Sequence, residues 1–166
     1  PRQQTEDEFK HALLDSAAPE LLERGASGLC ISVVDDAVAS GARLRMGQID
    51  PPKSGLVTFW VEQAQERAPF EQRIADLSER MAGYLVLESR PLVYEAKRGK
   101  PGQRTPGFSS VACIEPRPGL TREEFLDHWF GVHREVALET QSTFAYVRNE
   151  CIRPLTEDAP PWAAIV

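Results

Sequence analysis

The side chains best suited to chemistry are a histidine, a tryptophan, a tyrosine and an arginine. Trp129 and His133 lie one helical turn apart, and Tyr146 and Arg148 alternate along a β-rich run. An imidazole titrates near neutral pH and can take or give a proton, while a phenol or a guanidinium can stabilise a developing oxyanion. These residue types indicate cofactor-independent proton transfer, such as decarboxylation, cyclisation, isomerisation or dehydration of a carbonyl compound.

Each of these residues also has a plainer structural role. Trp129 is a typical core residue of a helix. His133 is either a group that lines a cavity or a brace for a neighbouring loop. Tyr146 and Arg148 share one face of a strand, which either looks into a cavity or is simply exposed, and the smaller residues of the opposite face are expected to meet a helix. His128 falls on the other side of its helix and is predicted to be a surface residue.

The helix that must position Trp129 and His133 is predicted to start at Thr121. Thr121 is a good N-cap, and Glu124, three residues later, completes a capping box. At about 100° per residue, His133 lies to one side of the apolar stripe of this helix, at the rim where the helix meets its packing partner. The stripe itself is predicted to be core and consists of Phe125, Trp129, Val132 and Val136.

The sequence around this helix resembles a known family. The run Pro-Gly-Leu-Thr-Arg-Glu-Glu-Phe at 118–125, the following His-Trp pair, His133 and the run Tyr-Val-Arg-Asn at 146–149 look like the EthD-type members of the dimeric α/β-barrel superfamily. The resemblance covers residues 107–166. It implies a ferredoxin-like βαββαβ unit whose antiparallel sheet pairs with a second sheet around a small-molecule cavity, and it implies little about the reaction.

On this interpretation the site residues have two roles. His133 is the candidate catalytic acid or base. The candidate substrate-binding residues are Trp129, Tyr146, Arg148 and Asn149.

Composition excludes several classes of function. The chain has 166 residues, of which 42% are hydrophobic and 27% charged, as in ordinary globular proteins with a buried core. A net charge of −6 argues against nucleic acid or an anionic membrane as a partner. The three cysteines are not spaced as metal ligands, and no apolar run is long enough to span a membrane. We therefore predict a cytoplasmic protein with no metal and no cofactor.

The chain also contains an internal repeat. Laying residues 5–9 on 121–125 brings 29–33 onto 145–149 without a gap. The first copy is predicted to continue with strands at 30–34, 55–61 and 84–93, and the second copy to contain strands at 108–114, 143–152 and 162–166. An irregular connection at 38–50, with or without a strand, follows the first strand. A further helix carries the stripe Phe70, Ile74, Leu77 and Met81, and Gly83 is placed to end it.

The repeat predicts three regions. Residues 1–94 form a first ferredoxin-like repeat without its first strand, residues 95–106 a basic linker rich in Gly and Pro, and residues 107–166 a second, EthD-like repeat that ends after its third strand. The chain is then either a segment of a longer protein or a permuted variant that uses only these elements. The two repeats are expected to pack as an internal pseudo-dimeric α/β barrel, or whole chains as a homodimer.

The two copies differ at the candidate site. Leu13 and Ala17 of the first copy stand where the second has Trp129 and His133. This asymmetry favours one functional site per chain, although divergence of a packing surface also explains it.

Two functions follow from this organisation. The first is a cofactor-free lyase or isomerase for an apolar aromatic or polyketide-like molecule, and the second is a non-catalytic binding or accessory protein. An apolar cavity with His133 pointing inward would favour the enzyme, and a His133 facing bulk water the accessory protein.

Overall fold

The structure, a computed structural model, describes residues 5–46, 52–93, 96 and 99–166. Over these residues the chain is a mixed α+β protein with two antiparallel sheets, as predicted, and neither sheet closes on itself there. The chain divides into two compact units, Pro1–Met81 and Ala82–Val166. No helix in the described ranges has the length and apolar character needed to cross a membrane.

The first unit begins with a helical segment of three parts. Helix α1 (Glu6–His11), a π-helical turn (Ala12–Ala17) and helix α2 (Ala18–Glu23) follow one another directly. One side of this segment faces the interior of the unit. Its buried residues are Leu13, Ala17 and Leu21.

A two-stranded antiparallel sheet follows the helical segment. Strand β1 (Ser27–Val33) pairs with strand β2 (Gly55–Trp60), close to the predicted bounds. A 3-10 helix (Asp36–Leu44) forms the first part of the connection predicted at 38–50. The end of that connection, from residue 47 onward, lies outside the described residues.

Helix α3 (Ala68–Ala75) is shorter than its apolar stripe predicted. The prediction that it extends to Met81 is wrong. The amides of Leu77 and Ser78 bond to carbonyls three residues back, and the Ser78 hydroxyl donates to the Ile74 carbonyl, so the last turn tightens and the helix ends. Around this helix lies the core of the first unit, with Leu21, Ala26 and Phe70 buried.

The second unit contains a four-stranded antiparallel sheet in the order β3-β5-β6-β4. Strand β3 lies at one edge, as its Pro91 predicted. Strands β4 and β6 are shorter than predicted, because the Trp162 N–H turns back to the Pro160 carbonyl at 2.7 Å and so does not join the ladder. Backbone bonds between Ala112 and Val166 continue the pairing just beyond the strand bounds. The strands are β3 (Tyr84–Leu92), β4 (Cys113–Ile114), β5 (Tyr146–Pro154) and β6 (Ala164–Ile165).

Strand β3 belongs to the same sheet as β5. Their pairing extends from Tyr84 opposite Pro154 to Leu92 opposite Tyr146. The strand is predicted at the end of the first repeat, whereas the compact unit that contains it is the second. The repeat boundaries stay a prediction, and residues 95, 97 and 98 of the proposed linker lie outside the described ranges.

Two helices stand where the sequence predicted one. Helix α4 (Arg122–Phe130) and helix α5 (Val132–Thr140) are separated by Gly131, whose ψ of −101° is far from the helical value. A Cβ at position 131 would lie 2.9 Å from the Asp127 carbonyl oxygen, so this turn favours glycine. The prediction of one continuous stripe is therefore wrong. Phe125 and Trp129 are buried, whereas Val132 and Val136 are 59% and 49% exposed.

The capping boxes predicted at Thr5 and Thr121 are both present. In each, the threonine hydroxyl accepts an N–H bond of 3.2 Å and the glutamate three residues later accepts the threonine N–H at 2.8 Å. The alignment of the two copies also places Leu13 on Trp129, and both are buried. These correspondences agree with the repeat interpretation, which stays a prediction.

Candidate functional site

Arg148 is the centre of a side-chain cluster in the second unit. It lies on strand β5 and is only 7% exposed. Its guanidinium carbon lies 4.6 Å from the centre of the Phe130 ring, 5.5 Å from that of Trp129 and 5.8 Å from that of Tyr146. Cation–π attraction operates within about 6 Å, so three aromatic rings hold this cation in place.

Two hydrogen bonds fix the orientation of the guanidinium. Arg148 Nε donates to Ser89 Oγ at 3.2 Å, and Nη1 donates to the Trp129 carbonyl at 3.4 Å. This carbonyl belongs to the last turn of α4, where the end of the helix leaves carbonyl groups without intrahelical donors. Arg148 thereby ties β5 to both β3 and α4.

The cluster contains buried donors and no carboxylate. In the part of the chain that the structure describes, no Asp or Glu lies within salt-bridge distance of Arg148. The Trp129 indole N–H and the Tyr146 hydroxyl are buried there without a hydrogen-bond partner. Leaving such a group unpaired costs about 1–3 kcal/mol. An arrangement of fixed donors is suited to an oxygen that carries or develops negative charge.

Burial sets the protonation states of this cluster. It raises the pKa of Tyr146, so the hydroxyl keeps its proton at neutral pH. Burial, and with it the like charge of Arg134, lowers the pKa of Arg148. A guanidinium pKa is so high to begin with that the group stays charged. Both side chains are therefore hydrogen-bond donors at physiological pH.

The structure brings three of the five predicted site residues together. Trp129, Tyr146 and Arg148 form the cluster. Asn149 is buried on the other face of β5, where it lies opposite Ile165 of β6. His133 is exposed in the first turn of α5, beyond the break between the helices. The roles of these residues stay predictions.

The face of β5 that carries Tyr146 and Arg148 meets a helix, so the prediction that the smaller-residue face does so is wrong. Arg148 contacts two rings of α4, and Glu150 accepts a hydrogen bond from Arg122 of the same helix. Stacking on aromatic rings and pairing with a carboxylate allow long polar side chains to be buried. Side-chain size alone does not predict this.

Two residues of the cluster are missing from the sequence prediction. Phe130 provides the ring nearest to Arg148, and Ser89 provides a hydrogen-bond acceptor. Phe130 lies off the stripe that a regular helix would bury. The signal that could have found it is Gly131, because a glycine destabilises a helix interior and so favours a break at this point. Ser89 lies directly opposite Arg148 in the β3–β5 ladder, which no local pattern shows.

Two open depressions lie elsewhere on the described residues. One, of about 410 Å³, lies in the second unit and is bordered by Cys151 and by the stacked rings of Tyr84 and Trp162. The other, of about 520 Å³, lies in the first unit beside Arg24 and Phe70. Neither depression is lined by a member of the Arg148 cluster or by His133. The candidate site is therefore defined by the contacts among its side chains and not by either depression.

Cys151, beside the first depression, is expected to resist alkylation that Cys30 undergoes. Cys151 is 3% exposed and burial raises its pKa to about 11, so it carries little of the reactive thiolate at about pH 8. Cys30 is exposed on β1. After iodoacetamide treatment, mass spectrometry should find Cys30 modified and Cys151 unmodified, and denaturant should make the two react alike. Equal modification in the folded protein would contradict the burial of Cys151.

A comparison with known protein families identifies the segment that contains the cluster residues other than Ser89. Residues 117–166 match the family model described as EthD domain. This match confirms the resemblance predicted from the sequence for that segment, which holds all five predicted site residues. Comparisons with the curated proteins and with solved structures find no match.

Proposed function

We propose that this protein is a cofactor-independent enzyme that transfers protons at an apolar aromatic or polyketide-like carbonyl compound. The observation that carries the proposal is the buried guanidinium of Arg148, held by three aromatic rings beside two unpaired donors. Donors fixed before the reaction stabilise an oxyanion, and removal of one such donor typically lowers kcat by about 10²- to 10³-fold. The rings at the same place suit a flat apolar substrate.

In the proposed reaction, His133 takes a proton from the carbon next to the substrate carbonyl. The electron pair of that C–H bond forms the double bond of an enolate, and the carbonyl π pair moves to the oxygen. Arg148 and Tyr146 donate hydrogen bonds to this oxygen, and His133 then returns a proton to carbon. The exposure of His133 supports exchange of its proton with water.

The remaining predicted residues have binding roles in this proposal. Trp129 packs against the substrate beside Arg148. Asn149 lies on the other face of β5 and is kept as a substrate-binding candidate because it belongs to the run that resembles the family.

We also propose that the two ferredoxin-like repeats pair as a pseudo-dimeric α/β barrel, or that two chains do so as a homodimer. The matching capping boxes of Thr5 and Thr121 support two related repeats. The first repeat would not add a second site, because Ala17 and Ser32 stand at the positions that correspond to His133 and Arg148.

A non-catalytic ligand-binding or accessory role is the second candidate function. The exposure of His133 favours it, since an acid or base is usually held within the site it serves. The two depressions described above also leave the Arg148 cluster outside their walls. In this role the same donors would hold a ligand without changing it.

Hydrogen exchange at carbon distinguishes the two functions. The chain is incubated in D₂O with 2-tetralone and with benzoylacetate, and NMR follows deuterium incorporation next to each carbonyl and decarboxylation of the second compound. The enzyme should accelerate one or both processes above the buffer rate. Arg148→Gln should reduce that acceleration by about 10²- to 10³-fold. A compound that binds without any acceleration would instead support the accessory role.

The matched control for this experiment is Arg153. It is an arginine on the same strand, but it is exposed and lies outside the cluster. Arg153→Gln should therefore leave the acceleration unchanged. An equal loss in both arginine variants would show that the effect comes from the net charge of the chain.

A further inference from the structure

We infer that the ligand of the Arg148 cluster carries a carboxylate attached to an aromatic or other flat apolar group. This inference rests on the proposed function, because it names the substrate class of the same site.

Two arginines carry positive charge at this site. Arg134 lies close enough to Arg148 for their like charges to interact. Over the residues that the structure describes, no carboxylate lies within salt-bridge distance of either arginine. A buried charge is costly unless it is paired. An anionic ligand would supply the missing partner.

The free donors match a carboxylate in number and geometry. A guanidinium has five N–H groups, and Arg148 uses two of them on Ser89 and on the Trp129 carbonyl. Within the described part of the chain, Arg148 has no further hydrogen-bond acceptor for the other three. The buried Tyr146 hydroxyl and Trp129 indole N–H also have no partner there. A carboxylate offers about four lone-pair sites on two oxygens, and the guanidinium fork binds it through two parallel hydrogen bonds.

The start of α5 adds to the preference for negative charge. Helix α5 has nine residues and no side-chain cap at its first turn, so its leading N–H groups carry the positive end of the helix dipole. The Trp129 carbonyl that binds Arg148 comes two residues before Gly131, the N-cap of α5, and Glu135 is the one acidic residue in the first turn of that helix. The helix start therefore follows closely along the chain after the carbonyl that binds the guanidinium.

A purely structural role for Arg148 explains less of the cluster. The stacking on three rings and the bonds to Ser89 and Trp129 would suffice to clamp β5 to its neighbours. A clamp gives no reason for the buried, unpaired donors of Trp129 and Tyr146. The aromatic surroundings also favour a ligand with a flat apolar body over a small inorganic anion.

Calorimetric titration of the chain with two matched probes tests the inference. The probes are 2-naphthoate and 2-naphthalenemethanol, which share a ring system and differ in charge. We expect naphthoate to bind about 10- to 100-fold more tightly, as charge-assisted hydrogen bonds require. Equal affinities, or no naphthoate binding at millimolar concentration, would overturn the inference.

The variants locate the preference at Arg148. Arg148→Gln should abolish the preference for naphthoate, and Arg153→Gln should retain it. Arg148→Lys should reduce the preference, because the ammonium group lacks the planar fork of the guanidinium. The ratio of the two affinities is the readout, and a merely structural role would leave this ratio unchanged in a folded variant. If circular dichroism shows that Arg148→Gln is unfolded, the titrations are made with Arg148→Lys and Arg134→Gln instead. An affinity ratio that is unchanged in both of these variants would overturn the inference.

The outcomes for the function and for the ligand class are separable. A preference for naphthoate without any exchange or decarboxylation contradicts the proposed enzyme and leaves the ligand class standing. Catalysed exchange in 2-tetralone with equal affinity for the two naphthalene probes contradicts the ligand class and leaves the enzyme standing.

Discussion

Trp129→Ala is expected to lower the free energy of unfolding by about 3–5 kcal/mol. Trp129 is 2% exposed, and its ring stacks on Phe125 at 5.7 Å and lies 5.1 Å from Phe130. It also carries part of the cation–π contact with Arg148. Truncation would leave a cavity between α4 and the sheet and would remove one of the rings that hold the guanidinium.

Leu13→Ala provides the matched comparison in the first unit. Leu13 is 1% exposed at the corresponding position, and its truncation should cost about 2–5 kcal/mol. Urea titration followed by far-UV circular dichroism measures both variants. Since a chain with two compact units need not unfold in one step, each transition is fitted separately. A neutral Trp129→Ala variant would show that α4 does not rest on the sheet through this ring.

Local signals in the sequence predicted the starts of helices and the central parts of strands. Thr5 and Thr121 each carry a glutamate three residues later, and this short pattern is sufficient because a capping box uses only groups within one turn. Pro91 likewise indicated an edge strand, because proline cannot donate to a second neighbour. Such features depend on a few neighbouring residues, so a local sequence pattern is enough to predict them.

The parts that sequence analysis missed depend on distant partners or on one residue that outweighs a pattern. Gly131 interrupts a stripe that four apolar residues had supported, and the break moves Val132 and Val136 to the surface. The burial of Arg148 and Glu150 depends on rings and on an arginine supplied by α4. These contacts form only when α4 packs on the strand, so neither the size nor the polarity of the residues along the strand could indicate them.

His133→Gln is expected to reduce catalysed hydrogen exchange by about 10²- to 10⁴-fold, which is the usual contribution of a general acid or base. An amide can hydrogen-bond, but it cannot titrate near neutral pH. In the unmodified protein, the rate should follow one ionisation within about pH 5–8, the range in which histidine side chains commonly titrate. The NMR exchange assay in D₂O, repeated across this range, measures both effects.

The control for this variant is His128→Gln. His128 and His133 are both exposed, and they lie on the two helices that flank Gly131. They share residue type and exposure, so only a specific role for His133 predicts that one variant loses exchange and the other retains it. An active His133→Gln variant with a flat pH profile would show that His133 positions other groups or braces a neighbouring loop and does not transfer protons. The Arg148 cluster would then hold its ligand without proton transfer from this histidine, and the accessory function would become the better account.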